Sequence, residues 1–87
     1  MHELSIAMSL VDLACEKAAQ IDVACIAAIH VRVGARSGVV ADALSFSFDV
    51  AAAGTPLEHA RLEIHATEGE ELELTSLEVV DHAVPDR

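Results

Sequence analysis

The apolar residues near the start of the chain are spaced as in an amphipathic helix. Between Glu3 and about Gln20 they recur every three or four positions and form one stripe. Glu3 in the first turn and Lys17 near the last have the charges that complement a helix dipole, and Ile21-Asp22 is expected to end the helix. The stripe consists of Leu4, Ala7, Met8, Val11, Ala14, Cys15 and Ala18.

Three later segments alternate between apolar and polar residues and are predicted to be β-strands: residues 24–34, 61–66 and 71–80. Thr67-Glu68-Gly69-Glu70 supplies a turn between the last two, so they are expected to pair as an antiparallel hairpin. Within the last segment the apolar phase changes around Thr75-Ser76, which predicts either a bulge or an early exchange of faces there.

Residues 40–53 fit two periods equally well. Read with period two, the segment is a strand whose apolar side chains alternate with polar ones. Read as a helix, it has one apolar face and runs to a stop at Gly54. A short helical turn is predicted directly afterwards, at Thr55-Pro56-Leu57-Glu58. The alternating set is Leu44, Phe46, Phe48 and Val50; the helical set is Val40, Ala43, Leu44, Ser47, Phe48, Ala51 and Ala52.

The order of elements is therefore helix, strand, helix or strand, strand, strand. The simplest layered solution is an α+β fold in which two helices pack on one face of a three-stranded mixed sheet. We predict one domain over residues 1–80, followed by a polar tail at 81–87.

Composition narrows the possible partners and the compartment. The chain has 87 residues and a net charge of −10, which argues against binding nucleic acid. No apolar run is long enough for a membrane span and no signal peptide is visible, so a cytoplasmic location is expected. Cys15 and Cys25 are predicted to be small buried hydrophobes in a reducing compartment, since no paired spacing supports a disulfide or a shared metal.

The first three residues carry the clearest candidate chemistry. The amine of Met1, the amide nitrogen and imidazole of His2 and the carboxylate of Glu3 can all converge on one divalent ion. Nitrogen donors in a planar or tetragonal array are what Ni(II) and Cu(II) prefer. The alternative is that Glu3 only complements the helix dipole and that the other two residues have no special role.

The remaining histidines offer less. His30 and His65 occupy outward strand positions, where we expect solvated side chains; if their strands are neighbours, the two rings could face each other as a metal pair. His59 and His82 have no ligand partner at useful spacing. The sequence has no phosphate-binding loop and no nucleophile elbow, so catalytic residues are not predicted and the protein is not expected to be an enzyme.

Five segments together resemble one family, the HypA nickel chaperones of [NiFe]-hydrogenase and, in some organisms, urease maturation. The resemblance covers nearly the whole chain in the family's order. The segments are Met1-His2-Glu3-Leu4-Ser5-Ile6-Ala7, Val31-Arg32-Val33-Gly34, Ala43-Leu44-Ser45-Phe46-Ser47-Phe48-Asp49-Val50, the run from Gly54 to Ile64, and the run from Glu70 to Val79.

The resemblance implies a fold, a cargo and partners. Residues 40–53 should be helical, and Met1, His2 and Glu3 should form the nickel site, with His2 as the indispensable ligand. Some members add an acidic ligand before the second helix; Val40 stands at that place here, with Asp42 two residues on. The implied partners are the maturation GTPase HypB and the hydrogenase large-subunit precursor. Exposed sheet edges would also permit a homodimer.

One departure from the family pattern is large. Members carry a four-cysteine zinc module between the last two strands, whereas here Ile64 to Glu70 passes directly from one strand to the next and no cysteine follows Cys25. The module was either removed and the ends rejoined or is naturally absent, and no structural zinc is expected. A second interpretation of function is therefore kept open: a zinc-less interaction module that docks in a maturation complex without handling nickel.

Overall fold

The computed structural model describes residues 2–80, so Met1 and the predicted tail at 81–87 lie outside the described part. The elements are α1 (Glu3–Gln20), β1 (Ile26–Gly34), α2 (Ala41–Ala52), β2 (Arg61–Thr67) and β3 (Leu72–Val79). The predicted α+β fold with two helices and a three-stranded mixed sheet is confirmed. Neither helix combines the length and the apolar character that crossing a bilayer requires.

The sheet order is β2-β1-β3, and this corrects the predicted hairpin. β1 pairs in parallel with β2 and antiparallel with β3, so β2 and β3 do not touch as neighbours. The reason lies in β1 itself: Ile29 and Val31 are fully buried and Val33 nearly so. A hairpin of β2 and β3 would leave this most apolar strand at an edge, whereas the central position gives it a hydrogen-bonded partner on both sides.

Residues 68–71 carry the chain from β2 to β3 across the end of β1. The crossing is held by backbone hydrogen bonds: the Gly34 amide donates to the Glu71 carbonyl at 2.7 Å, and the Arg36 amide donates to the Gly69 carbonyl at 2.8 Å. A Cβ atom on Gly34 would overlap the carbonyl oxygen of Gly69. Glycine is therefore required at the last residue of β1 by the close approach of another backbone segment.

The ambiguous segment is the helix α2, as the family resemblance implied. Leu44, Phe48 and Ala52 are buried at helical spacing, with exposed fractions of 0%, 1% and 1%. Phe46, which a strand would have turned to the same side, is 73% exposed. The helix ends just before Gly54, whose φ of 78° is the left-handed conformation common after helix ends.

The buried face of α1 is close to the predicted stripe but rotated. Leu10 is buried although the stripe omitted it, whereas Leu4 and Met8 are exposed because they lie beyond the surface that α2 and the sheet cover. The buried residues that the stripe predicted are Ala7, Val11, Ala14 and Ala18.

Of the two alternatives predicted for β3, the structure shows the bulge. His30 lies opposite Ser76 and Val31 opposite Leu74, which leaves Thr75 as the extra residue. The hydroxyl of Thr75 donates a hydrogen bond to the His30 carbonyl at 3.1 Å. The extra residue restores the phase, so that Leu74 packs against the same hydrophobic core as the apolar residues after the bulge.

The face of the sheet away from the helices carries a chain of polar contacts that joins all three strands. Arg61 of β2 binds Glu63 at 3.0 Å and Glu78 of β3 at 3.2 Å. The Nε2 atom of His30 lies 2.6 Å from the other carboxylate oxygen of Glu78, and its Nδ1 atom lies 2.8 Å from Nε2 of His65. These side chains are solvent-accessible, so we expect their effect on stability to depend on pH and salt.

Glu78 should make stability depend on pH. Its hydrogen bond to His30, and next its bond to Arg61, hold the pKa of this carboxyl below the usual value of 4.5. Ionised Glu78 therefore stabilises the fold above that pH, and the contribution is lost as the pH falls through the lowered pKa. We expect Glu78→Gln to be less stable than the parent near pH 7, and we expect this difference to shrink as the pH falls below 4.5, as measured by urea unfolding at a series of pH values.

The matched control is Glu58→Gln, which removes the same charge from an exposed turn. Glu58 takes no part in the ion pairs that join the strands, so this variant should not reproduce the loss of stability expected for Glu78→Gln. If the free energy of unfolding changed with pH in the same way in both variants, the pH-dependent stabilisation could not be assigned to Glu78.

Candidate metal centre at the amino terminus

The predicted metal-binding residues stand where helix α1 begins. His2 is the residue before the first helical turn, with φ −92° and ψ 87°, and its carbonyl accepts the first helical hydrogen bond from Ile6 at 3.1 Å. Its side chain is exposed and makes no capping hydrogen bond to the helix. The imidazole is therefore free to take an ion from solvent. Met1, the third member of the predicted set, lies outside the described residues.

Glu3 has a structural contact that the sequence did not reveal. Its Oε2 atom accepts a hydrogen bond at 3.0 Å from the backbone amide of Val40, the residue that precedes α2. Valine has no side-chain oxygen to cap a helix, and the carboxylate from α1 binds this end of α2 instead. This hydrogen bond is the main cause of the lowered pKa of Glu3, so the carboxylate is ionised and fixed beside His2.

The contact at Val40 brings the beginnings of both helices to one place. A shallow depression lies there, lined by residues that include His2, Glu3 and Phe46. The ring of Phe46 is 73% exposed, and Asp42 lies in the first turn of α2 with an exposed side chain. The depression beside His2 thus combines a carboxylate with an apolar aromatic surface.

Among residues 2–80, no three His, Cys, Asp or Glu side chains lie close enough together to hold an ion. The predicted clip differs from such a site, because two of its donors are main-chain nitrogens. Its chemical requirement is a side-chain imidazole next to a free amine, and the residue types at positions 1–3 fit Ni(II) in that arrangement.

Comparisons with known proteins now decide the family. A family model described as hydrogenase/urease nickel incorporation, metallochaperone, HypA matches residues 1–72. The chain belongs to the HypA family. The HypA resemblance inferred from the five segments is thereby confirmed.

Several HypA relatives are similar over most of this chain. A hydrogenase maturation factor HypA from Roseiflexus sp. (strain RS-1) is 64% identical over 64 residues, which cover 74% of this chain and 52% of the relative. The HypA of Chloroflexus aurantiacus (strain ATCC 29366 / DSM 635 / J-10-fl) is 58% identical over 64 residues and is covered to 56%. The chain thus spans about half the length of the curated relatives it matches.

A solved HypA structure supports the fold. The solution structure of a HypA protein matches with a TM-score of 0.77 at 22% identity, covering 92% of this chain and 97% of the other. At this identity the match establishes the architecture of two helices and a mixed sheet, and it assigns no residue a role.

The cysteines bear on the zinc module that the resemblance implies for HypA proteins. The sequence has two cysteines, too few for a four-cysteine set, and neither lies between β2 and β3. Cys15 is partly buried against the core, which raises the pKa of its thiol. Cys25 is exposed just before β1, so the prediction that it is a buried hydrophobe is wrong. These residues do not fit such a centre; the absence of structural zinc stays a prediction.

Proposed function

We propose that this chain is a non-enzymatic nickel metallochaperone domain for [NiFe]-hydrogenase maturation. It binds Ni(II) through the free amine of Met1, the amide nitrogen and imidazole of His2 and a carboxylate from Glu3, and it delivers the ion to a partner protein. The observation that carries the proposal is the position of His2 in a chain of the HypA family: it stands at the start of α1 with an exposed side chain that makes no capping hydrogen bond.

The chemistry of the donors favours nickel as cargo. The amide nitrogen of His2 binds only after losing its proton, which a strongly polarising ion such as Ni(II) or Cu(II) makes feasible. In model peptides an α-amino group has a pKa of about 7.7–8.0 and an imidazole has one of about 6.5. Near neutral pH, protons therefore compete with a metal ion for donors of both kinds. A site that protons can open suits transfer of the ion rather than its storage.

The side chain of Glu3, the proposed carboxylate ligand, is already held by a hydrogen bond within the protein. Its Oε2 atom is occupied by the Val40 amide, so a metal contact would use Oε1 or replace that hydrogen bond. Loading could therefore loosen the start of α2, which lies beside Phe46 and Asp42. The cytoplasmic partners we propose, the GTPase HypB and the hydrogenase large-subunit precursor, would approach there, since an exposed aromatic ring beside the ion offers a protein contact. A homodimer through the sheet edges stays a prediction.

The proposal is tested by the absorption spectrum of the Ni(II) complex. Untagged protein should give the band of a planar, nitrogen-rich Ni(II) site near neutral pH. A short extension ahead of Met1 converts the amine to an amide and should weaken binding and remove that band. An unchanged aquo-ion spectrum with the untagged protein, or equal spectra from both forms, would refute the clip.

A further inference from the structure

A second group of nitrogen donors lies on the solvent-facing side of the sheet, remote in sequence from His2. His30 of β1 and His65 of β2 approach to 2.8 Å between Nδ1 of the first ring and Nε2 of the second. The rings are close to parallel, with an interplanar angle of 16° and centroids 5.1 Å apart. Adjacent strands in parallel register hold both residues, so the spacing is set by the sheet rather than by flexible loops.

The hydrogen bonds fix the tautomer of His30. A carboxylate can only accept, so the 2.6 Å contact between His30 Nε2 and Glu78 Oε2 places the proton on Nε2. In the neutral ring the lone pair is then on Nδ1, the atom that faces His65. Glu78 is itself held in place by Arg61 at 3.2 Å.

This is the arrangement that metal-binding histidines ordinarily have. A ligating imidazole donates its other N–H to a carboxylate or carbonyl, which orients the ring and makes the ligating nitrogen more basic. Here the carboxylate is Glu78, the oriented ring is His30, and the directed lone pair meets a second imidazole nitrogen instead of solvent.

We propose that His30 Nδ1 and His65 Nε2 together bind a divalent transition-metal ion of the Zn(II) or Ni(II) class, with Glu78 as the orienting outer carboxylate. The ion replaces the proton that the two nitrogens share. His65 then carries its proton on Nδ1, and the His30 proton stays on Nε2 toward Glu78. In a pair that holds an additional proton, that proton is released to solvent.

The donor spacing suits such an ion. With metal–nitrogen distances of about 2.0–2.1 Å, two neighbouring ligands of one ion lie about 2.9–3.4 Å apart. The observed 2.8 Å is close to this range, so binding turns the two rings until both lone pairs converge on the ion, with little change in the distance between the two nitrogens. No third His, Cys, Asp or Glu joins the pair within residues 2–80, so water completes the coordination and the site is open to exchange.

The site is tested in a His2→Ala protein, so that a failure here and a failure of the terminal clip can be told apart. The probe is Zn(II), and the readout is the ring nitrogen and proton resonances of each histidine. Those of His30 and His65 should shift together and saturate at one ion per chain, whereas those of His59 in its exposed turn should stay in place. His65→Ala should abolish the shift at His30, and Glu78→Gln should weaken Zn(II) binding about 10–100-fold.

His59→Ala is the matched control, and amide spectra of every variant check that the fold is kept. Saturation only at millimolar Zn(II), equal shifts at His59, or unchanged affinity in His65→Ala or Glu78→Gln would each overturn the proposal. Nickel binding at the terminus, followed in His65→Ala with His2 present, is expected to be unchanged.

Discussion

Replacing His2 with alanine is expected to lower the affinity for Ni(II) more than about 100-fold. Loss of an outer-shell partner alone commonly costs about 10–100-fold in metal affinity, and in the proposed site His2 is a direct ligand that closes the chelate ring with the amine of Met1. Calorimetric titration of the untagged parent and the variant measures the difference. Weaker binding at His30 and His65 would remain, but without the absorption of a planar nitrogen-rich site.

The control for His2 is His59→Ala, which removes an exposed imidazole from a turn and should leave nickel affinity unchanged. Thermal unfolding of both apo variants should match the parent, because His2 is exposed and caps no helix amide with its side chain. Equal nickel affinity in the parent and His2→Ala would exclude the clip. Hydrogenase maturation that persists in cells carrying His2→Ala would instead favour the interaction-module interpretation.

Local patterns were sufficient for the outlines of the fold. Apolar spacing located α1 and all three strands to within a few residues, and the change of phase near Thr75 marked the position of the bulge without distinguishing it from an exchange of faces. Pattern alone did not resolve α2, because its apolar residues satisfy period two and period 3.6 together. The burial of Phe48 and the exposure of Phe46 separate the two interpretations, and that information is tertiary.

Strand order could not be read from the connection between β2 and β3. A short turn between two strands usually indicates a hairpin. This local rule does not take into account that the apolar strand β1 is stabilised by hydrogen-bonded partners on both sides. The backbone bonds at Gly34 show how so short a segment can instead cross the end of the central strand. The sequence does show a glycine at position 34, but from the sequence alone it indicates only that the strand ends in a loop.

The candidate sites depended on long-range contacts to different degrees. The exposure of His2 could be predicted from the sequence alone, because the residue stands directly before a helix. The bond from Glu3 to the Val40 amide joins residues 37 apart and has no local signature. The facing of His30 and His65 was foreseen only on condition that their strands were neighbours, which the parallel pairing of β1 and β2 satisfies.

The crossing of β1 predicts a large effect on stability. Gly34→Ala should lower the free energy of unfolding by about 3 kcal/mol, at the upper end of the usual cost of overpacking, because the added methyl group meets backbone. The carbonyl of Gly69 cannot rotate away as a side chain would, and it is held by the Arg36 amide at 2.8 Å. Displacing it would also strain the neighbouring bond from the Gly34 amide to Glu71. Chemical denaturation at neutral pH measures the loss.

Gly69→Ala is the matched control, since it adds the same methyl group to the other side of the same crossing. Its Cβ atom would meet the end of the flexible Glu71 side chain, which can move at the cost of its exposed ion pair with Arg32. Such a pair contributes at most about 1 kcal/mol, so this variant should be the milder one. If both variants lost the same free energy of unfolding, the backbone contact between Gly34 and Gly69 would not explain why position 34 is glycine. The backbone conformational preference of glycine would then be the explanation.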